Sequence, residues 1–274
     1  MKCFTVLIPL FLASQCFGAT PREYKNRPVA TTAALSSVET AAKMQLPKGF
    51  HAGAFAEEPD IVQPIAYTMD DRGRLWVLEC ANYPDSPGKP KDRILILEDT
   101  DGNGTADKQS VFYDKVPFAS GIAIGHGGVW VGSPPDLLFF PRSNDRQDVA
   151  AAEPEIVLEG WGADDTHETL NSFIWRPDGW LYGTQGVFTF PTVGKPGAPK
   201  AERIPMNASI FLYHPQKGIF ERYAEGGSNQ WGLDWDDLGR GLFAACVISH
   251  VWQAIPGALY PLSVGSLTLS TQTR

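Results

Sequence analysis

One short phrase is written four times along this chain: Ile65-Ala-Tyr-Thr-Met-Asp-Asp-Arg-Gly-Arg-Leu-Trp76, Gly121-Ile-Ala-Ile-Gly-His-Gly-Gly-Val-Trp130, Phe173-Ile-Trp-Arg-Pro-Asp-Gly-Trp-Leu-Tyr182 and Gly232-Leu-Asp-Trp-Asp-Asp-Leu-Gly-Arg-Gly-Leu-Phe243. Each copy reads as a β-hairpin, an apolar strand entering an Asp/Gly turn and returning through a strand that opens toward an aromatic. The closing aromatics Trp76, Trp130, Tyr182 and Phe243 are 54, 52 and 61 residues apart. A hairpin cannot bury its apolar face alone, so units repeating at this period must stack, as blades do around the axis of a β-propeller.

Two further extended runs follow each hairpin. The third strands are Arg93-Ile-Leu-Ile-Leu-Glu98, Leu137-Leu-Phe-Phe140 and Ser209-Ile-Phe-Leu-Tyr213; the fourth are Ser110-Val-Phe-Tyr113, Glu155-Ile-Val-Leu158 and Phe220-Glu-Arg-Tyr223. The fold class expected is therefore all-β, a propeller of four-stranded antiparallel blades. The Gly-rich first strands suit the crowded centre, which makes each hairpin the inner half of a blade. About four blades are legible of an expected six, so the propeller is expected to be incomplete. Phe50-His-Ala-Gly-Ala-Phe55 reads as an outermost strand preceding the first blade. The propeller domain is assigned to residues 47–260 and an irregular tail to 261–274.

Before the blades lie two other segments. Residues 1–19 carry Lys2, a short apolar run from Phe4 to Ala13 and small residues at Gly18 and Ala19, the pattern of a cleaved signal peptide. That run is too short to span a bilayer, so no transmembrane segment is expected in the mature chain and its place is periplasmic or extracellular. Residues 20–46 form a leader in which Ser36-Ser-Val-Glu39 has capping-box spacing and opens a short helix. Once Cys3 and Cys16 leave with the signal, Cys80 and Cys246 remain, at equivalent positions of two separate hairpins, and are read as two buried free thiols. No Cys-x-x-Cys-His occurs, so this chain attaches no haem. The formal charge of −8, without a basic cluster, leaves no footprint for nucleic acid.

The connections that carry the chain from one blade to the next open at the mouth of the axial channel, and their polar residues are the functional candidates. Gly162-Ala-Asp-Asp-Thr-His-Glu-Thr-Leu-Asn171 enters the third blade and Gly226-Gly-Ser-Asn-Gln-Trp-Gly232 the fourth. His167 is the candidate general base, with Asp164, Asp165 or Glu168 placed to orient it. His167-Glu-Thr-Leu-Asn171 lacks the second histidine of a zinc helix and precedes a strand, so it is not read as a zinc motif. His250 follows the fourth hairpin and is a further channel candidate. Elsewhere, Trp76, Trp130, Trp180 and Trp235 are read as packing between blades, and His126 and His214 as turn residues.

A second local pattern lies at Asp99-Thr-Asp-Gly-Asn-Gly-Thr-Ala-Asp107. Asp99, Asp101, Asn103 and Asp107 take positions 1, 3, 5 and 9 of a calcium loop, with Thr105 offering its carbonyl. Ser110 stands at position 12 in place of the bidentate Glu, so a structural Ca²⁺ bound with lowered affinity is expected, remote from any catalysis.

The stretch from His167 through Phe173 and Pro177-Asp-Gly-x-Leu-Tyr182 to Gly186 resembles the soluble quinoprotein glucose and sorbosone dehydrogenases. With Gln63-Pro-Ile-Ala66, Asp71-Arg-Gly-Arg-Leu-Trp76, Asp99-Thr-Asp-Gly-Asn-Gly104 and Asn229-Gln-Trp-Gly232, residues 47–260 more closely resemble the bacterial "membrane-bound dehydrogenase" propellers, related six-bladed, TolB-like folds that often carry a c-type haem domain. The resemblance implies a sugar or alcohol dehydrogenase using pyrroloquinoline quinone and passing electrons to a cytochrome c. His167 would take the hydroxyl proton, and Asn171, Asn229, Gln230 and His250 would be cofactor or substrate contacts. Ser228 stands where the quinoproteins place an arginine before the Asn of blade four. Two alternatives accompany this reading: a calcium-dependent lactonase-like propeller with Glu57, Glu58, Asn171 and Asn229 as ligands, and a non-catalytic propeller that binds a carbohydrate or protein.

Overall fold

The repeated phrase is the inner hairpin of each of four antiparallel sheets. The computed structural model describes residues 33–85, 90–144 and 148–262, so the signal-peptide expectation and residues 263–274 of the tail lie outside it. Blade one runs β1 (Pro64–Met69), β2 (Leu75–Glu79), β3 (Asp92–Glu98), β4 (Lys108–Val116) in spatial order, and blade two β5 (Gly121–Gly125), β6 (Gly128–Ser133), β7 (Asp136–Pro141), β8 (Glu155–Glu159). Blade three begins with β9 (Asn171–Trp175) and β10 (Leu181–Gln185). It then detours through a two-stranded insertion, β11 (Thr192–Val193) and β12 (Ile204–Pro205), and ends with β13 (Ser209–His214) and β14 (Ile219–Glu225). Blade four has β15 (Asn229–Trp235), β16 (Gly241–Cys246) and β17 (Val251–Ala254) among the described residues.

The aspartates of the phrase build the hairpin turns. Asp70 Oδ1 accepts from the backbone N–H of Arg72 and Arg74 at 3.0 and 2.9 Å, and Oδ2 from Arg74 Nε at 2.8 Å and Trp76 Nε1 at 3.0 Å. Asp236 repeats this with Leu238 N–H, Arg240 N–H and Arg240 Nε at 3.0, 2.8 and 2.6 Å. An ionised carboxylate accepts all of these at once, which is why the turn needs an acid at that position.

Successive blades pack through their faces. Trp76, Leu78, Ile94 and Phe112 of blade one meet Ile122, Val131 and Phe140 of blade two; Trp130 lies 5.8 Å from both Trp175 and Tyr213 of blade three; Tyr182 lies 4.5 Å from Trp235 of blade four. Each such side chain, fully buried, contributes about 1.5–3 kcal/mol. At the centre, β1, β5, β9 and β15 follow one another in contact. The approach there is close: a Cβ on Gly121 would stand 3.2 Å from the Asn171 Cα and 3.3 Å from the Phe173 ring.

Three expectations change at the ends of the arc and its side chains. Phe50–Phe55 is not an outer strand. It crosses the outward face of blade one, where Phe55, Ala56 and Ile61 cover Val77, Leu95 and Leu97, so a face rather than a sheet edge attracts it. Cys80 is buried but Cys246 is exposed, because β16 alternates buried and exposed residues whereas the equivalent strands β6 and β10 are buried on both faces. His214 closes β13, buried against Trp180 at 5.0 Å, and is not a turn residue. The leader helix α1 (Ser37–Lys43) forms with the Ser36/Glu39 capping box in place. No helix among the described residues is long and apolar enough to cross a membrane.

Candidate functional site

Antiparallel order puts the connections β4–β5, β8–β9 and β14–β15 at the same end of the molecule as the loops after β2, β10 and β16. The 162–171 loop is the meeting point of that end. From blade one, Tyr83 sets its ring edge against His167 at 5.4 Å, and Thr166 Oγ1 donates to the Pro84 carbonyl at 2.8 Å. From blade four, Trp231 Nε1 donates to the His167 carbonyl at 2.9 Å. The loop thus joins blades one, three and four at the end of the arc where the inter-blade connections lie, the place expected for a channel mouth.

The His167 ring stands 58% exposed, with Nδ1 2.8 Å from Asp165 Oδ1, which also accepts the His167 backbone N–H at 3.0 Å. Burial alone would raise the Asp165 carboxyl, but its hydrogen bonds from His167 and the attraction of that ring hold it below its ordinary value. An ionised carboxylate can only accept. Nδ1 therefore carries a proton, and in the neutral ring Nε2 is the acceptor left free. Of the three acids expected near His167, Asp165 is the one that orients it; Asp164 is exposed, and Glu168 turns inward and is buried.

Beneath the loop lies a belt of buried amides and hydroxyls. Asn171, fully buried, donates through Nδ2 to the Thr169 carbonyl at 2.8 Å and accepts at Oδ1 from Thr184 Oγ1 at 2.8 Å and Ser172 Oγ at 2.5 Å. Its amide ties β9 to β10. Gln230 is also fully buried, with Nε2 on the Gly226 carbonyl. Gln185 Oε1, Asn229 Oδ1 and Gln230 Oε1 are buried acceptors without a donor among the described residues. Gln63, Ser172 and Ser228 hold φ of 47°, 54° and 56° where the chain enters β1, β9 and β15, a repeated backbone kink at the mouth that costs about 1 kcal/mol or more at each position. His250 is exposed in the β16–β17 turn, its carbonyl accepting from Ala245 N–H at 3.0 Å. Glu57 accepts from Ser37 N–H beside α1, and Glu57 and Glu58 line a cavity there, so the lactonase ligand set is not assembled with Asn171 and Asn229.

The calcium-loop residues occupy the β3–β4 turn, at the opposite end from His167. Carboxylate oxygens of Asp99, Asp101 and Asp107 lie within 4.8 Å of one another. Asp99 accepts from Gly104, Gly102 and Asn103 N–H at 2.8, 2.8 and 3.1 Å, bonds that hold it below the usual carboxylate range. Asn103 Oδ1 accepts from Thr105 N–H at 2.8 Å. Thr105 Oγ1 and Ala106 N–H donate to the Ala54 and Phe55 carbonyls at 3.2 and 2.8 Å, so the loop also holds the segment that covers blade one.

A family model described as a domain of unknown function, DUF7133, matches residues 36–257. The chain belongs to this DUF7133 family. No curated protein matches it. Among solved structures, the DUF7133 chain is similar to a family AA12 carbohydrate-active enzyme from Trichoderma reesei, with a TM-score of 0.52 at 13% identity, covering 73% of this chain and 55% of the other. It is also similar to the PQQ-bound aldose sugar dehydrogenase of Streptomyces coelicolor, with a TM-score of 0.49 at 18% identity over 73% and 62%. The chain thus spans less than two thirds of the length of either, and at these identities the likeness to the AA12 enzyme establishes the propeller fold of this DUF7133 member.

Sequence reasoning missed Tyr83, Thr184, Gln185 and Trp231. Tyr83 and Trp231 come from other blades, and no local pattern marks a residue that crosses the axis.

Proposed function

We propose that the chain is a propeller oxidoreductase acting on the CH–OH group of a sugar or alcohol, with His167 as the acceptor of the hydroxyl proton. The observation that carries this reading is the His167–Asp165 pair at the channel mouth, whose hydrogen bond leaves Nε2 as a proton acceptor open to solvent. Asp165 fixes the tautomer and stabilises the imidazolium that forms, while Tyr83 and Trp231 hold the ring and its backbone from either side. The kinship to sugar-oxidising quinoproteins rests on the residues from His167 to Gly186.

A resident pyrroloquinoline quinone does not fit the described residues of the mouth. That cofactor is a polycarboxylate, and among the described residues no Lys or Arg is a hydrogen-bond or ion-pair partner of His167, Asp165, Glu168, Asn171, Gln185 or Gln230. Asp165 and Glu168 set the local charge, and Ser228 stands in place of the quinoprotein arginine. The reading therefore commits to deprotonation of an alcohol and not to tight quinone retention. In this proposal residues 1–19 export the chain and 20–46 lead into a propeller over 47–260. The hydroxyl proton goes to His167 and the hydride of the same carbon to a quinone that exchanges with solution, which then passes its two electrons one at a time to a c-type cytochrome. A structural Ca²⁺ is held by Asp99, Asp101, Asn103, Asp107 and the Thr105 carbonyl, an all-oxygen set of the kind this ion prefers.

The test is dye-linked oxidation of a panel of aldoses and primary alcohols by the purified full chain, with quinone and Ca²⁺ supplied in solution. His167→Ala is expected to lower the rate by about 10²–10⁴-fold, the usual contribution of a general base. An unchanged rate in that variant, or oxidation of no member of the panel, overturns the reading.

A further inference from the structure

Glu168 is the acid of the mouth loop that turns into the protein. Its side chain enters a slot that exists because residue 186 has no side chain: a Cβ there would lie 1.8 Å from Glu168 Oε2. Oε2 accepts from Val187 N–H at 3.0 Å. The Glu168 carbonyl accepts from Gly186 N–H at 3.0 Å and from Gln185 Nε2, which also donates to Thr189 Oγ1 at 2.7 Å. The bond between His167 and Asp165, by contrast, stays inside the loop and would travel with it.

We propose that Glu168 is the positioning residue of the channel mouth: its buried carboxyl, seated over Gly186, fixes the 162–171 loop to the end of β10 and so sets where the His167 ring stands. The value of that position to catalysis rests on the reading of His167 as the proton acceptor; the positioning itself does not. Burial first, and then the charge of Asp165, push the Glu168 carboxyl up to about 7, against the pull of the Val187 N–H and of His167. Asp165 and His167, both on its own loop, are the charged groups acting on it. The β10 end brings only amides and the uncharged Gln185 and Thr189, and blades one and four bring Tyr83 and Trp231 to the loop. Ionisation then sets a second negative charge beside Asp165 in a site with no cation from the sheet, so the loop is held most firmly below pH 7 and loosens as the pH rises through it.

The Trp231 indole N–H, bonded to the His167 carbonyl, reports the loop without any need for turnover. In the full chain its NMR resonance is expected to titrate with a midpoint near the 7 of Glu168, with solvent exchange about tenfold or more faster on the alkaline side. Glu168→Gln keeps the shape and removes the charge, and should abolish the titration with exchange slow throughout; His167→Gln should keep it. Gly186→Ala, which evicts the carboxyl, should give fast exchange at every pH, and adding Glu168→Ala should make it no faster. A Glu168→Gln chain that still titrates like the parent overturns the proposal, and that variant alone decides it if Gly186→Ala does not fold. Normal Trp231 behaviour in a chain that oxidises nothing would sink the functional reading and leave the positioning role standing.

Discussion

Asp92 shows how much of the mouth's rigidity depends on single buried groups. Fully buried, it accepts from Asn82 N–H at 3.0 Å, Asn82 Nδ2 at 3.1 Å, Ala119 N–H at 2.9 Å and Cys80 Sγ at 3.3 Å, tying the loop that carries Tyr83 to the entry of blade two. Asp92→Ala leaves these donors without an acceptor and is expected to cost about 2–4 kcal/mol, read from the midpoint of urea unfolding. Burial, and then the Asp92 charge, push the Cys80 thiol up to about 12. Iodoacetamide at pH 8 should therefore label Cys246 in the native chain and spare Cys80 until the protein unfolds, with peptide mapping as the readout. Glu168 contributes a pH dependence of opposite sense to an ordinary paired acid. The folded chain keeps a proton that the unfolded chain releases near 4.5, so folding is favoured below that pH and loses the advantage as pH rises through about 7. The loss is about 3 kcal/mol at most, and thermal melts of Glu168→Gln should lack it. The burial of Glu168 was not legible in its neighbours, since only the slot over Gly186, closed by folding, separates it from the exposed Asp164.

At the level of elements, legibility followed period. The four hairpins, the third and fourth strands of the first three blades and the capped helix lie where alternation and capping chemistry put them, because each depends on residues two to four apart. Phe50–Phe55 failed that test. Its aromatic and small residues suit an edge strand, yet the buried face of Val77, Leu95 and Leu97 takes it as a cover. That cover is joined to the acidic β3–β4 turn through Thr105 and Ala106. Chelation of Ca²⁺ should therefore loosen it: with EGTA, limited proteolysis is expected to cut within residues 50–61 at least about tenfold faster, and Asp101→Asn should do the same with Ca²⁺ present. Equal cutting rates with and without chelator would argue against a metal in that turn.

At the level of the molecule, three blade interfaces among the described residues carry most of the core, and β16 has one buried and one exposed face. Phe243 is 1% exposed against blade three, while its neighbour Leu242 is 43% exposed on the other face. Phe243→Ala is expected to cost about 3–5 kcal/mol and Leu242→Asp less than about 0.5 kcal/mol, compared by chemical denaturation of the two variants. The sequence by itself determined the hairpins, the blades and the polar loop that carries His167. Which acid orients His167, which one turns inward, and that Tyr83 meets its ring and Trp231 its carbonyl were decided by tertiary structure alone. The physical reason is range: strand alternation is set by adjacent residues, whereas the mouth joins His167 to Trp231 across 64 positions and Thr166 to Pro84 across 82, contacts that exist only after separate blades meet around one axis.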